Sequence, residues 1–436
     1  MFNLNFSNTK LIAFNPDISY AEFAKQANLF SQSFQILGIQ KLALFIENSI
    51  DLAMLIVAAI DANIDILLPP NLLAENQQWI KENSDYFLND KNLKDFKIIA
   101  KNNTNPPVIS AHSKTKIYLK TSGSSGNSKI ICKNIQQILL ETQALNLITP
   151  PDEDLYLIRS VTCQHCYGLS FALFLPLYKG WSMHPKQLLF PEYLIEESTH
   201  HSNNIWISSP ALLSNININN PHLKDAHIKT IISSGGALPS AVNIHIRENI
   251  PCSIIEIYGS TETGAIAQKI NHLWQPLNGL SVGTDQQDAL WVSGAWVEEK
   301  QQTADVIKIK KEGFQLLGRI DRIVKIGDKR ISLAKIEQEL LKHPEITDVF
   351  IALHPQKQRP AAWIALTPSG LEKYQQSHLT FIKALKSYLR STTENLAIPR
   401  FWRFTDKLPR NTQSKIRIDD FNHTFICKEE NLNERT

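Results

Sequence analysis

Apolar residues return along this chain in two alternating rhythms. Over residues 18–38 they recur at helical spacing and stop at a glycine, which predicts an amphipathic helix. Residues 41–46 form a short apolar run and predict a buried strand. A helix is expected over 51–63, then a strand over 64–68 closed by Pro69-Pro70. The rhythm resumes downstream, with helices expected over 134–147 and 191–199. Strands are expected over 154–160, 205–208, 230–233 and 253–257, the last running straight into YGSTETG. Strand–helix–strand alternation is the pattern of a layered α/β domain. From about residue 279 to 317 the periods become short and strand-like, as in a small barrel or an appended sheet.

The segment GRIDRIVKIGDKR, residues 318–330, breaks the pattern with two glycines and alternating charge, and reads as a boundary. Beyond it helices are expected over 333–343 and 379–390, strands over 347–353 and 361–366, and a tail near Pro409. The predicted fold class is α/β. A large N-terminal layered α/β domain spans 1–320, and a small C-terminal α+β domain spans 321–436, within the usual domain size range. No internal repeat is evident.

Composition adds exclusions. The chain has 436 residues, 43% of them hydrophobic and 20% charged, with 45 basic against 42 acidic residues. That near balance gives no reason to expect nucleic acid or an anionic membrane as partner. The longest uncharged apolar run, residues 168–178, is too short to span a membrane. The first residues, MFNLNFSNTK, lack a basic stretch followed by an apolar one, so no secretion signal is expected. Five sparse cysteines then suit a reducing cytoplasm. Cys163 and Cys166 form one C-x-x-C. Metal binding needs about four ligands, and no second C-x-x-C or H-x-x-x-H accompanies it, so ordinary buried thiols are expected.

The candidate chemistry starts at YLKTSGSSGNSKII. Residues Thr121 to Lys129 hold four Ser, one Thr, two Gly, one Asn and one Lys between two apolar stretches. Glycines permit close backbone approach, free N–H groups form an anion-binding concavity, and hydroxyls and a cation add donors. The loop suits a polyphosphate; a solvated Ser/Gly turn is the plainer reading. It is not a Walker loop, because Asn127 and Ser128 separate Gly126 from Lys129. A second segment, IYGSTETGAIA, places Tyr258, Thr261 and Glu262 directly after a buried strand. That is where open α/β sheets bind ligands. A tyrosine can stack on a purine, a threonine can bond a phosphate, and a glutamate can hold Mg²⁺ beside phosphate oxygens.

TSGSSGNSK beside YGSTE resembles the adenylate-forming superfamily, which comprises acyl- and aryl-CoA synthetases, peptide-synthetase adenylation domains and luciferases. Further segments resemble that family in its own order: HCYGL at 165–169, SSGGALP at 233–239, TAD at 303–305, GRIDRIVK at 318–325 and PRNTQSKIR at 409–417. The resemblance runs from about residue 10 to residue 420. The stretch before the loop is short for this family.

The resemblance implies a two-half reaction: a carboxylate attacks the α-phosphorus of ATP, and a thiol then displaces AMP to give a thioester. It implies that Thr121, Ser122, Gly123, Ser124, Ser125, Gly126 and Lys129 hold the β- and γ-phosphates. It places Thr261 on the α-phosphate and Glu262 on Mg²⁺. Tyr258, Gly259 and the Gly235–Gly236–Ala237 backbone would hold adenine, and Asp305 and Arg319 would fix the ribose. Lys415 would be the central catalytic cation, Asp321 the hinge, and His165 a gate or pocket-lining residue. The acid pocket would be lined by residues 163–169, 233–236 and 260–266, which lack Lys and Arg and favour an apolar acid.

A weaker resemblance to the ligases of aryl-polyene pigment pathways suggests an aromatic or fatty acid. The acceptor would be CoA or a carrier-protein phosphopantetheine, with an acyl carrier protein as a candidate partner. Three positions depart from the family pattern: Ser128 replaces the usual Pro, Ser414 the usual Gly, and Asp328 stands where a Gly is usual. Ser414 and Asp328 motivate the alternative of an adenylate-binding protein with little turnover.

Overall fold

The computed structural model describes residues 2–3, 9–100, 107–121, 129–151, 154–326, 329–393, 395–410 and 416–426. They separate into two units, one of 1–281 with 292–301, the other of 282–291 with 302–436.

The first unit is built on two sheets. One runs in the order Tyr86–Asn89, Lys41–Phe45, Asp65–Leu68, Lys116–Thr121, Lys129–Asn134. Its strands are parallel except the last pair, which is an antiparallel hairpin. Parallel strands need helical crossovers and are covered on both faces, which is why Leu42, Ala43, Leu44, Ile66 and Leu68 form continuous apolar runs. The helices begin on side-chain caps: Ser19 accepts from the Glu22 N–H ahead of Tyr20–Ile36, and Asn48 accepts from Ile50 ahead of Ser49–Asp61. The second of these, SIDLAMLIVAAID, is buried almost all round.

The other sheet carries the parallel strands Ser182–Gln187, Tyr156–Arg159, Asn204–Ser208, Ile228–Ser233 and Ser253–Ser260, in that order. Gly264–Ile270 and Leu273–Pro276 then continue it antiparallel. Trp206, Ile231, Leu194 and Ile246 pack into one apolar cluster against it. Each such side chain removed from water contributes about 1.5–3 kcal/mol. Trp206 donates its indole N–H to Ser198 Oγ at 2.8 Å, so the ring is buried without an orphan donor.

In the second unit Pro360–Leu366 lies between Ile346–Leu353, antiparallel, and Phe401–Thr405, parallel. Helices Leu333–Leu340 and His378–Arg390 pack Ile336, Leu340, Phe381, Leu385 and Leu389 against Val349, Ile351, Ala362 and Ile364. Helix Ile418–Ile426 packs Phe421 and Phe425 in a separate cluster with Ala361 and Trp363. These alternate residues of one strand serve opposite faces, as the period of two requires. The 3₁₀ turn Ile320–Arg322, where the sequence pattern places the 320/321 boundary, lies inside this unit. The architecture is α/β, with a large N-terminal part and an α+β C-terminal part.

Candidate active site

Because the strands from Tyr156–Arg159 to Ser253–Ser260 are parallel, their carboxyl ends fall on one edge of the sheet. Hydrogen bonds lace that edge together. Ser160 Oγ lies 2.9 Å from Ser208 Oγ, and Ser234 Oγ donates to the Ile257 carbonyl at 2.9 Å. The Tyr167 hydroxyl donates toward the carbonyls of Ser208 (3.0 Å) and Ile232 (2.9 Å). Past this edge the chain opens at Gly235, Gly236 and Ala237, all exposed. Gly235 sits at φ +86°, a left-handed conformation natural to glycine.

The second motif is a tight hairpin. Tyr258 pairs with Ala267, Gly259 with Ala265 and Ser260 with Gly264, leaving Thr261, Glu262 and Thr263 at the tip. A Cβ on Gly259 would stand 2.3 Å from the Gly264 carbonyl oxygen, so the two arms meet where only glycine fits. Thr263 is buried and closes the tip through Ser260: its N–H donates to Ser260 Oγ at 3.2 Å, and the two hydroxyls lie 3.0 Å apart. Thr261 is half-buried and Glu262 is exposed. The ring of Tyr258 rests 5.6 Å from that of Trp274, tilted by 55°.

Two charged residues outside the expected site lie directly under this hairpin. Lys133, in the strand Lys129–Asn134, donates from Nζ to the Glu262 carbonyl oxygen at 2.6 Å. Glu141, in the helix Ile135–Ile148, accepts from the Ala265 N–H at 2.8 Å through Oε1. Burial pushes the Glu141 carboxyl above the usual carboxylate range, against the pull of the Ala265 N–H, the Lys133 charge and the Ser170 hydroxyl. The sequence carried a faint sign of both: a lysine inside IICKN and a glutamate inside ILLETQAL, each within an apolar segment.

His165 stands at the start of the short helix Cys166–Leu169, half-buried, its carbonyl accepting from the Leu169 N–H at 2.8 Å. The helix continues through a π-helical turn, Ser170–Phe174, into Leu175–Lys179. Such turns often accompany functional sites. Cys163 and Cys166 are free thiols. Burial pushes the Cys163 thiol up, and burial with the nearby Glu141 carboxylate pushes Cys166 up to about 12, so neither is an activated thiolate.

The phosphate-loop motif spans the hairpin formed by Lys116–Thr121 and Lys129–Asn134, as the flanking apolar stretches predict. Thr121 Oγ1 accepts from the Lys129 N–H at 3.3 Å, and Lys129 is exposed. Ser122, Gly123, Ser124, Ser125 and Gly126 lie outside the described residues, as do Ser128, Asp328, Ser414 and Lys415. In the second unit Asp305 and Arg319 face each other across an antiparallel pair, with Nη1 3.8 Å from Oδ1. Asp321 lies in the 3₁₀ turn Ile320–Arg322.

Among the described residues no three His, Cys, Asp or Glu side chains cluster to hold a metal ion. A divalent cation at Glu262 would therefore need phosphate oxygens and water to complete its shell. That is how Mg²⁺ is usually held beside nucleotides, so the exposed carboxylate fits it. No helix among the described residues is long and apolar enough to cross a membrane.

Comparison with known proteins supplies the family. The family model described as AMP-binding enzyme matches residues 71–287, and that of the AMP-binding enzyme C-terminal domain matches 335–415. The peroxisomal OPC-8:0-CoA ligase 1 of Arabidopsis thaliana is 22% identical over 355 residues, covering 70% of this chain and 63% of that protein. The chain spans less than two-thirds of the length of the curated relatives it first matches. Among solved structures, an ATP-bound RpMatB-BxBclM chimera superposes with a TM-score of 0.83 at 19% identity, covering 96% of each chain. The anthranilate CoA ligase AuaEII in complex with anthranoyl-AMP gives 0.80 at 15% identity, covering 97% of this chain and 95% of that one. At such identities the superpositions speak for the fold. Two family models matched in order, over more than half of the residues and on a sheet edge built as described, show that this chain belongs to the AMP-binding enzymes of the adenylate-forming superfamily.

Proposed function

We propose that the chain is an AMP-forming ligase that joins a carboxylic acid to a thiol at the expense of ATP. The observation that carries this reading is the shared edge. The exposed Gly235–Ala237 backbone, the Thr261–Glu262 tip and the helix starting at Cys166 all belong to the carboxyl ends of adjoining strands or pack beside them.

A carboxylate is a poor acyl donor because its leaving group would be oxide. In the first half-reaction its oxygen attacks the α-phosphorus of ATP, and the bond to pyrophosphate breaks. The product is acyl-AMP, whose leaving group is a stable phosphate monoester. In the second, a thiol gives up its proton, its sulfur attacks the acyl carbon, and the carbon–oxygen bond to AMP breaks. The first step brings anions together, so the protein's task is charge neutralisation and positioning.

Thr121, Ser122, Ser124, Ser125 and Lys129, with Gly123 and Gly126 admitting close backbone approach, would receive the β- and γ-phosphates. Thr261 would hold the α-phosphate. Tyr258, Gly259 and the Gly235–Ala237 backbone would take adenine, and Asp305 with Arg319 the ribose. Glu262 would hold Mg²⁺, which supplies positive charge beside the phosphates. Lys415 would bridge carboxylate and α-phosphate, and rotation at Asp321, at the junction of domains 1–320 and 321–436, would exchange it for the thiol-accepting surface. His165 would line the acid pocket.

The acid is aryl or fatty, because the pocket-lining residues 163–169, 233–236 and 260–266 are mostly small or apolar and hold no Lys or Arg. The names of relatives, an anthranilate ligase and an OPC-8:0 ligase, are compatible with that class. The acceptor is CoA or a carrier-protein phosphopantetheine, and the reaction is cytoplasmic. Carboxylate-dependent ATP–pyrophosphate exchange tests the reading, over benzoate, 4-hydroxybenzoate, cinnamate and fatty acids of several lengths. Exchange with one class is expected. Protein that binds ATP but exchanges with none of them would overturn it.

A further inference from the structure

Lys133 and Glu141 remain unexplained once nucleotide and acid have been assigned. They are 5% and 4% exposed. Removing either group from water is costly unless its polar end is hydrogen-bonded. Lys133 is the one buried residue of its strand, and Glu141 lies among the buried Ile138, Leu139, Thr142 and Leu145 of its helix, so covering apolar surface does not by itself call for charges here.

Their polar ends converge on one stretch of backbone. Nζ of Lys133 reaches the Glu262 carbonyl at 2.6 Å, and Oε1 of Glu141 takes the Ala265 N–H at 2.8 Å. Between these two points Gly264 lies flat on the carboxylate, where a Cβ would come within 2.9 Å of its three atoms. Ser170, on the π-helical turn, adds a hydroxyl to the same carboxylate. The tip is thus held from beneath by its main chain while the Glu262 side chain stays exposed.

We propose that Lys133 and Glu141 are positioning residues that fix the Glu262 tip in the geometry needed for the phosphates and divalent cation of the nucleotide. The inference rests on the nucleotide-binding reading above. A group that receives a ligand gains from neighbours that lock it beforehand, and fixed donors need no reorganisation when the ligand arrives. A pair that served stability alone would weaken every ligand of the site alike, or none.

The test uses the full-length protein, with Lys133→Met and the double variant Lys133→Met/Glu141→Gln. The double variant removes both charges together and keeps the interior neutral should the single one fail to fold. Calorimetric titration with Mg²⁺·ATP and, separately, with adenosine reads the phosphate-and-metal end of the site against the base end. The expected result is a loss of about tenfold or more for Mg²⁺·ATP, the usual effect of removing an outer-shell partner, with adenosine affinity unchanged. Equal losses for both ligands, or no loss for either, would overturn the proposal. Wild-type protein that binds neither ligand would instead overturn the nucleotide-binding reading on which it rests.

Discussion

Gly264 and Glu141 meet so closely that no side chain fits between them: a Cβ on Gly264 would lie 2.9 Å from the carboxyl carbon and both its oxygens. Gly264 also holds φ +73°, where an L side chain is strained. Gly264→Ala should therefore destabilise the first unit by about 1–3 kcal/mol from backbone strain alone, with the collision adding to it. Urea unfolding followed by tryptophan fluorescence measures this. An unchanged midpoint would show that the hairpin can back away from the helix at no cost.

Tyr167 ties two strand ends through one hydroxyl. Tyr167→Phe removes the one proton shared between the Ser208 and Ile232 carbonyls, of which Ser208 still accepts from the Ser234 N–H at 3.4 Å, a loss of about 1–3 kcal/mol. The same denaturation experiment reads it. A variant as stable as wild type would mean that water or a neighbouring group takes over both acceptors.

Glu141 makes stability depend on pH in an unusual sense. Its folded carboxyl titrates above the ordinary value of 4.5, chiefly through burial, so the folded state binds the proton more tightly than the unfolded chain does. The Glu141 contribution then weakens as pH rises from the ordinary value through the raised one, and is largest below both. Glu141→Gln keeps an acceptor for Ala265 without the titration. The stability of wild type minus that of the variant should fall with rising pH across that window. A flat or rising difference would contradict the burial argument.

Glu262 is exposed, so Glu262→Gln should leave stability within about 0.5 kcal/mol of wild type. On the proposed reading it raises the Mg²⁺ concentration needed for half-maximal nucleotide binding. A magnesium titration at fixed ATP decides this. An unshifted midpoint would remove Glu262 from the metal.

Lys415→Ala should abolish most acid-dependent pyrophosphate exchange, by about 3–4 kcal/mol of transition-state stabilisation as for other preorganised donors. ATP affinity should be kept. Retained exchange would take the catalytic role away from Lys415.

Much of the fold was legible because burial writes itself into apolar periods. The strands Asn204–Ser208 and Ile228–Ser233 stand where short apolar runs put them, and the hydroxyl-rich motif does bridge two strands. Ser182–Gln187 escaped, since SMHPKQ is polar and carries a proline. It lies at the end of the parallel set, where a strand tolerates a missing ladder donor. The π-helical turn Ser170–Phe174 escaped because an apolar run hides its own period. The helix Ile418–Ile426 was read as tail. At the site, positions after strand ends could be read along the chain. Lys133 and Glu141 left only a faint sign, and their role none, because their partners Glu262 and Ala265 lie 129 and 124 residues further on.

That separation also sets an order in time. A ribosome adds about 5–20 residues per second, so Lys133 and Glu141 exist for roughly 6–25 s before Glu262 and Ala265 have been made. Until then the helix Ile135–Ile148 presents an apolar face interrupted by a carboxylate with no backbone donor to meet it. The sheet edge on which the site stands can close only after its last parallel strand and the hairpin beyond it have emerged.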